Sequence, residues 1–214
     1  MSAIDGDQEK LRSNLQSAVR FFESLRDDAR YFLESARHYR ANDEEKCRTY
    51  LRACVITSFA ALEAYINTLA YVVAEYGDDL DLHERAFLQE RKLELDETGN
   101  FVLRGQRYHR LEDKLRFLHW RSKGVRIDSK NTTWMAFQAA KDFRDSIVHA
   151  KPDRLPSEEL SVASAESVLT AVTDLVSGFL GPYHGAPLTH PPRAAPTLKL
   201  SGASCAKSKK SFRL

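Results

Sequence analysis

The sequence predicts an all-α protein, built as a bundle of four long helices with a short helix and hairpin inserted between the second and third. Apolar residues recur at three- and four-residue spacing through the long stretches, whereas strand-like alternation is confined to one short segment. A chain of 214 residues can bury one well-packed core. We therefore expect one helical domain at 1–181 and a tail at 182–214.

The first predicted helix covers residues 8–40 and is amphipathic, with apolar positions spaced for one buried side. These positions are Leu11, Leu15, Val19, Phe22, Leu25, Phe32 and Leu33. Asn42 and Asp43 follow, and residues of these types end one helix and cap the next. A second helix is therefore predicted directly after Asp43.

The second helix contains the most apolar stretch of the chain, residues 53–74, in which Glu63 is the single charge. A stretch of 22 such residues is long enough to span a bilayer. An acid near the centre costs about 2.5 to 3.5 kcal/mol on insertion scales. Asn67 and several hydroxyl groups add to that cost, and both flanks are charged. We therefore predict a central core helix surrounded by apolar partners, and no membrane partner.

The insert begins with a short surface helix predicted at 81–92. Residues 92–95 and 101–103 are typical of two short strands, and Gly99 between them suits the turn of a hairpin. A further helix is predicted up to a break at 122–124, and its apolar positions are Leu111, Leu115 and Leu118.

The penultimate helix is predicted from Thr133 to about Val148, with Asn131 or Thr132 as its cap. Pro152 then forces a loop. A last helix follows the loop.

This last helix is predicted to start at 157–159 and to stop at 181–182. Its inward-facing residues are Leu160, Val168, Leu169, Val172, Leu175, Val176 and Phe179. Five of the seven prolines then fall between 182 and 196, before an end rich in Ser and Lys. Because such a composition cannot bury a core, the tail at 182–214 is expected to be disordered.

Charge is distributed unevenly along a chain whose net charge is only +2. No acid follows Asp174, while the tail contributes six positive charges, so the preceding part is net acidic. A folded part with that balance lacks a wide basic surface for duplex nucleic acid. The basic character of the sequence belongs to its tail.

The three cysteines, Cys47, Cys54 and Cys205, have unrelated spacings that give neither a disulfide framework nor a zinc pattern. The first residues carry acids where an export signal needs basic residues before an apolar run. We therefore expect a cytoplasmic protein in a reducing environment.

Common catalytic and ligand-binding motifs are missing from the sequence: it contains no phosphate-binding glycine loop, zinc-protease motif, serine-hydrolase elbow or calcium loop. The seven histidines are scattered, and no two are at ligand spacing on one helix. We therefore expect no metal site and no cofactor.

The penultimate helix places a cation among apolar residues. Counting about 100° per residue from Trp134, one side of that helix gathers Phe143, Ala136, Ile147, Ala140, Phe137 and Val148. Arg144 falls within the same arc. A guanidinium there loses hydration that only an acid or an anionic ligand can replace. A structural ion pair with Glu63 is one explanation, and a ligand site is the other.

His149 ends this helix on its polar side, four residues after Asp145, a spacing that makes neighbours of the two side chains. The string FRDSIVHAKP, together with SFAALEAYIN at 58–67, resembles the HEPN family, helical bundles found in many prokaryotic toxins and defence proteins. The family signature is Arg, a polar residue, several further residues, and His at a helix end. Arg144, Asp145 and His149 occupy those places.

The resemblance implies a HEPN-like bundle that acts as a metal-independent endoribonuclease of the toxin or defence type, with RNA as its partner. Attack of a ribose 2′-OH on the adjacent phosphodiester needs a base, an acid and positive charge at the phosphorane. His149 would exchange the proton, Arg144 would hold the phosphate, and Asp145 would orient His149. DNA should resist, because it lacks the internal nucleophile.

Three further residues have supporting places in this interpretation: Glu63, Asn67 and Lys151. Glu63 either holds Arg144 or forms an internal polar cluster with Asn67, and the sequence leaves both arrangements open. Lys151 belongs to the Lys-Pro step that follows the helix.

Five residues apart on a helix, Arg144 and His149 point about 140° from one another and lie about 7.5 Å apart along the axis. One chain therefore does not readily complete the site. The resemblance implies a homodimer with a shared cleft, and an antitoxin or regulatory protein as a further partner. The alternative is a non-catalytic helical interaction module in which Arg144 and Glu63 form a buried structural pair.

Overall fold

The computed structural model describes residues 3–77, 79–149 and 160–179. These residues form a helical bundle with one two-stranded sheet, so the all-α prediction is confirmed. The elements are α1 (Ala3–Tyr39), α2 (Glu44–Tyr76), α3 (Leu82–Leu88), β1 (Arg91–Leu95), β2 (Phe101–Gln106), α4 (Leu111–Lys123), α5 (Thr132–Val148) and α6 (Val162–Phe179). The predicted disordered tail at 182–214 lies outside the described residues.

Helices α1 and α2 lie side by side and form the largest packed surface of the bundle. The predicted cap between them is confirmed, since the Asp43 carboxylate accepts a hydrogen bond of 3.0 Å from the Lys46 amide. α6 packs against α1, α2 and α5, and α2 lies at the centre of the core.

One side of α2 is not covered by the other helices. It carries Ile56, Ala60, Glu63, Asn67 and Tyr71, which follow one another at helical spacing and are exposed or partly exposed. We call these five residues the open face of α2. The prediction of apolar partners all round is wrong on this side, because α1 and α6 cover the others and α4 and α5 make few contacts with α2.

By length and composition α2 is also the one helix, within the described part of the chain, that could cross a bilayer. Of its most apolar 18-residue window, 56% is buried inside the protein. The core helix of a bundle has the same properties, so this feature does not indicate a membrane.

The predicted hairpin is present. β1 and β2 pair antiparallel, with Leu95 opposite Phe101 beside the turn and Arg91 opposite Gln106 at the other end. Gly99 lies in the turn with φ +82°, a conformation that glycine adopts without strain. The helix predicted at 81–92 is shorter than expected, because Glu90 takes a positive φ of 53° and the chain then enters β1.

The ends of α4 and α5 agree with their predicted signals. α4 ends at Gly124, which is left-handed with φ 70°. Asn131, rather than Thr132, caps α5, and its side chain accepts a hydrogen bond of 3.1 Å from the Trp134 amide.

Helix α6 begins at Val162, later than predicted. Ser161 is the cap, because the Ser164 amide donates to Ser161 Oγ at 3.1 Å and the Ser161 amide donates to Ser164 Oγ at 2.9 Å. Leu160 is partly buried against the core, and the other predicted inward residues are buried: Val168, Leu169, Val172, Leu175 and Val176. The side chain of Phe179 and the predicted stop at 181–182 lie outside the described residues.

Candidate functional site

The buried side of α5 is formed by Trp134, Phe137 and Ala140. This buried side is rotated about the helix axis relative to the predicted one, since Ala136 and Val148, which were predicted to be buried, are exposed. The reason is the Trp134 indole, which packs 5.2 Å from the Phe137 ring and buries far more apolar area than a methyl group would. The other residues predicted on this side, Phe143 and Ile147, are partly buried. Arg144 lies near the middle of the corrected arc.

Arg144 reaches from α5 to the open face of α2. Its Nη2 donates a hydrogen bond of 3.1 Å to Glu63 Oε1. Its Cζ lies 4.8 Å from the centre of the Phe59 ring, which is a cation–π distance. Of the two arrangements that the sequence left open for Glu63, the structure shows the contact with Arg144.

This ion pair is anchored but not enclosed. The Arg144 side chain is 20% exposed, and that of Glu63 is 46% exposed. Arg144 Nε lies 3.3 Å from Asp145 Oδ1, yet within the described residues this buried nitrogen has no well-aligned hydrogen bond. The guanidinium therefore keeps donor capacity that Glu63 does not use.

Asp145 has partners other than the predicted one. Its Oδ2 lies 3.1 Å from Lys141 Nζ, which also pairs with Glu112 at 3.2 Å. Burial lowers the pKa of Lys141, but its hydrogen bonds to Asp145 and Glu112 outweigh this and leave that pKa raised. The predicted Asp145 to His149 side-chain pair is wrong, because Lys141, on the preceding turn, takes the carboxylate instead.

His149 lies at the exit of α5 with an exposed side chain. Its backbone amide donates to the Asp145 carbonyl at 2.9 Å, and its φ of −113° and ψ of 43° end the helix. No hydrogen bond or ion pair joins its imidazole to Arg144 or Asp145. The structure therefore brings Arg144, Asp145 and Glu63 together and leaves His149 apart from them within one chain.

The supporting residues are placed differently from the prediction. Asn67 is exposed, and its Oδ1 accepts a hydrogen bond of 2.8 Å from Lys114 Nζ on α4. The alternative that the sequence left open, an internal cluster of Glu63 with Asn67, is not formed, because the two side chains contact cations on different helices. Lys151 lies outside the described residues.

Sequence reasoning missed two buried cations on α4: Arg121, which pairs with Asp79, and Lys114, whose side chain is 6% exposed. Its Nζ lies 2.8 Å from Glu90 Oε1 as well as from Asn67. The sequence contains the pattern that could have revealed Lys114, a cation at an apolar position of a helix. Lys114 lies on the same side of α4 as Leu111 and Leu118, as Arg144 lies among apolar residues on α5.

Within the described ranges, no three His, Cys, Asp or Glu side chains lie close enough together to hold a metal ion. No family model, curated protein or solved structure matches the chain.

Proposed function

We propose that this chain is a metal-independent, HEPN-type endoribonuclease that cleaves RNA by 2′-OH attack and acts as a cytoplasmic toxin or defence effector. The observation that carries the proposal is the setting of Arg144. It is a cation on the core-facing side of α5, anchored by Glu63 and partly open to solvent, five residues before the exposed His149. A planar guanidinium fixed in this way suits a phosphate.

In the proposed reaction, Arg144 neutralises charge on the phosphorane and His149 exchanges protons with the 2′-OH and the leaving oxygen. Asp145 acts chiefly as a positioning residue for Arg144. Its carboxylate lies within 3.3 Å of Arg144 Nε and belongs to the ion-pair group of Lys141 and Glu112. A guanidinium held from two sides loses little freedom when phosphate binds.

The proposed active form is a homodimer. Arg144 and His149 point to different sides of α5 in one chain, so a second copy is needed to bring both to one phosphate. An isologous contact that brings the exit of α5 in each copy to the Arg144 contact of the other would create two equivalent sites.

The cleavage test uses purified protein and total RNA in EDTA. Wild type should produce fragments ending in 2′,3′-cyclic phosphate and should leave DNA intact. His149→Ala and Arg144→Ala should each lower the rate by about 100-fold or more. The matched control is His38→Ala, because His38 is an exposed histidine on α1. Equal cleavage by wild type and His149→Ala would rule out the proposed chemistry.

The dimer test mixes two inactive variants. If Arg144 of one copy acts with His149 of the other, a mixture of Arg144→Ala and His149→Ala chains should regain about a quarter of wild-type activity, since half of the dimers are mixed and each has one intact site. Sedimentation should show a dimer at assay concentrations. A monomeric, fully active wild type would contradict the shared site.

The second candidate is a non-catalytic helical interaction module, and the ion pair of Arg144 with Glu63 is the observation that favours it. Under this alternative, Arg144→Ala sharply lowers the melting temperature and His149→Ala has no effect on any property. Expression of each variant in growing cells separates the two. Growth arrest by wild type alone supports a nuclease, and its relief by a co-expressed protein would identify the proposed antitoxin or regulatory partner.

A further inference from the structure

A cavity of about 430 Å³ opens beside the open face of α2. It lies between α2, the connection from α3 to β1, and α4, and its volume is within the usual range of small-ligand sites. The polar and aromatic residues that line it are Asn67, Tyr71, Gln89, Glu90, Arg91 and Lys114. None of them belongs to the Arg144 contact described above.

An ion pair on a strained backbone lines this cavity. Glu90 Oε1 accepts hydrogen bonds from Lys114 Nζ at 2.8 Å and from the His109 amide at 3.1 Å. Glu90 adopts φ +53°, a conformation uncommon for residues other than glycine. Strain of this kind persists where surrounding contacts enforce it, and it is concentrated at binding sites.

The wall of the cavity on the α2 side is an exposed aromatic ring. Tyr71 is 53% exposed although it lies in the most apolar helix of the chain. A flat, accessible ring beside side-chain amides, here Asn67 and Gln89, is suited to a nucleobase, since bases of single-stranded RNA stack on aromatic side chains and hydrogen-bond at their edges.

The hairpin next to the cavity is basic. Arg91 lines the cavity, and Lys92 and Arg104 are directly opposed across the hairpin. Like charges in that arrangement destabilise a hairpin. Gly105, with φ +57°, forms a bulge at this point, and Arg107 follows it. No acid forms an ion pair with these four cations within the described part of the chain, so a polyanion would relieve their repulsion.

The cavity and the Arg144 contact lie along the same side of α2. Glu63, Asn67 and Tyr71 follow one another at four-residue steps, each about 6 Å along the helix axis. Glu63 binds Arg144, whereas Asn67 and Tyr71 line the cavity. One strand a few nucleotides long can therefore reach both places, which fits the small footprints of single-strand binding sites.

We propose that this cavity is a subsite for single-stranded RNA, in which one base stacks on Tyr71 and the adjoining backbone lies on the cations at the base of the hairpin, Arg91, Lys92, Arg104 and Arg107. This inference rests on the proposed function, since it places the scissile phosphate at Arg144. It specifies the substrate as unpaired RNA.

The binding test uses the His149→Ala chain, which should not cut, and a fluorescent single-stranded RNA of about eight nucleotides. Tyr71→Ala should weaken binding by at least about fivefold, and Tyr71→Phe should retain it, because the stacking surface remains. Arg91→Ala should weaken binding and reduce its salt dependence. The matched controls are Tyr31→Ala and Arg30→Ala on α1, both exposed and both expected to bind within about twofold of the parent.

The two proposals fail separately in this design. If wild type cleaves RNA and the Tyr71 and Arg91 variants bind as tightly as the controls, the subsite is overturned and the nuclease remains. If wild type never cleaves RNA but the same variants lose binding, the subsite stands and the nuclease is overturned. Tighter binding of the same sequence as a duplex would also overturn the subsite.

Discussion

Two cations reach the open face of α2, and their surroundings differ. Lys114 comes from α4, is almost fully buried, and places its ammonium between Glu90 and Asn67. Arg144 comes from α5, is partly open, and has one hydrogen-bonded carboxylate that is itself half exposed. We call the Lys114 contact closed, because its ammonium is buried between two partners of the same chain. We call the Arg144 contact open, because its guanidinium and its carboxylate partner both remain accessible to solvent.

The difference follows from what each cation loses on burial. An ammonium out of water is tolerated when it has hydrogen-bond acceptors and a counter-ion close by, and Lys114 has both in Asn67 and Glu90. Arg144 has five donor hydrogens in a planar fork, of which Glu63 uses few. These contacts support a structural role for Lys114, and they are the basis on which we propose a binding role for Arg144.

Replacing Lys114 should have the greatest effect on stability. Lys114→Met leaves Glu90 partly buried without its counter-ion and removes the donor to Asn67, so we expect a loss of about 2 to 4 kcal/mol in the free energy of unfolding. Urea unfolding measures it. The matched control is Lys123→Met, because Lys123 is exposed at the end of the same helix. If Lys114→Met left the free energy of unfolding unchanged, Lys114 would not have the structural role that distinguishes it from Arg144.

Replacing Arg144 should affect stability less. Its pair with half-exposed Glu63 and its contact with Phe59 together account for about 1 kcal/mol. We expect Arg144→Met to lose about that amount, and a double-mutant cycle with Glu63→Ala to show a coupling below about 1 kcal/mol. A loss above about 3 kcal/mol would favour the interaction module, in which this pair is structural.

The helices and the hairpin could be predicted because their signals are local. Asp43 and Asn131 cap as expected, Gly99 lies in the turn, and the apolar residues of α6 are buried. The contact of Arg144 with Glu63 followed from a simple count of charges at apolar positions. Such a count needs no knowledge of how the helices are arranged.

The remaining features depend on tertiary packing. The buried side of α5 was misplaced because periodicity gives Ala136 the same weight as the much larger Trp134. Asp145 was assigned to His149 because spacing alone does not rank it against Lys141, which lies one turn earlier on the same helix. The cavity beside Tyr71 joins residues from α2, β1 and α4, and no local pattern predicts that meeting.

The closed contact should also respond to acid. Burial raises the pKa of Glu90, but hydrogen bonds from Lys114 and from the His109 amide outweigh this, so that pKa lies below its ordinary value of 4.5. A lowered pKa in the folded state stabilises the protein above pH 4.5, and this contribution is lost as the pH falls through the folded value.

We therefore expect Glu90→Gln to flatten the acid side of the stability profile, measured by urea unfolding between about pH 3 and 6. The control is Glu94→Gln on β1, because this exposed residue forms no ion pair within the described residues and should leave the profile unchanged. If wild type and Glu90→Gln lost stability equally as the pH falls, the Lys114 contact would not require the negative charge of Glu90.

Glu63→Gln should change stability least of these variants. It is also the most direct test of the open contact. The amide oxygen can still accept a hydrogen bond from Arg144 Nη2, and the carboxylate that it replaces is half exposed. The free energy of unfolding should therefore change by less than about 0.5 kcal/mol. RNA affinity should rise several-fold at low salt, because Glu63 no longer neutralises the guanidinium that the phosphate needs. In cleavage assays KM should fall while kcat changes little, since the added attraction is equal for bound substrate and transition state. If Glu63→Gln instead weakens binding and lowers the melting temperature, the Glu63 charge is required to hold Arg144, and the second contact is as closed as the first.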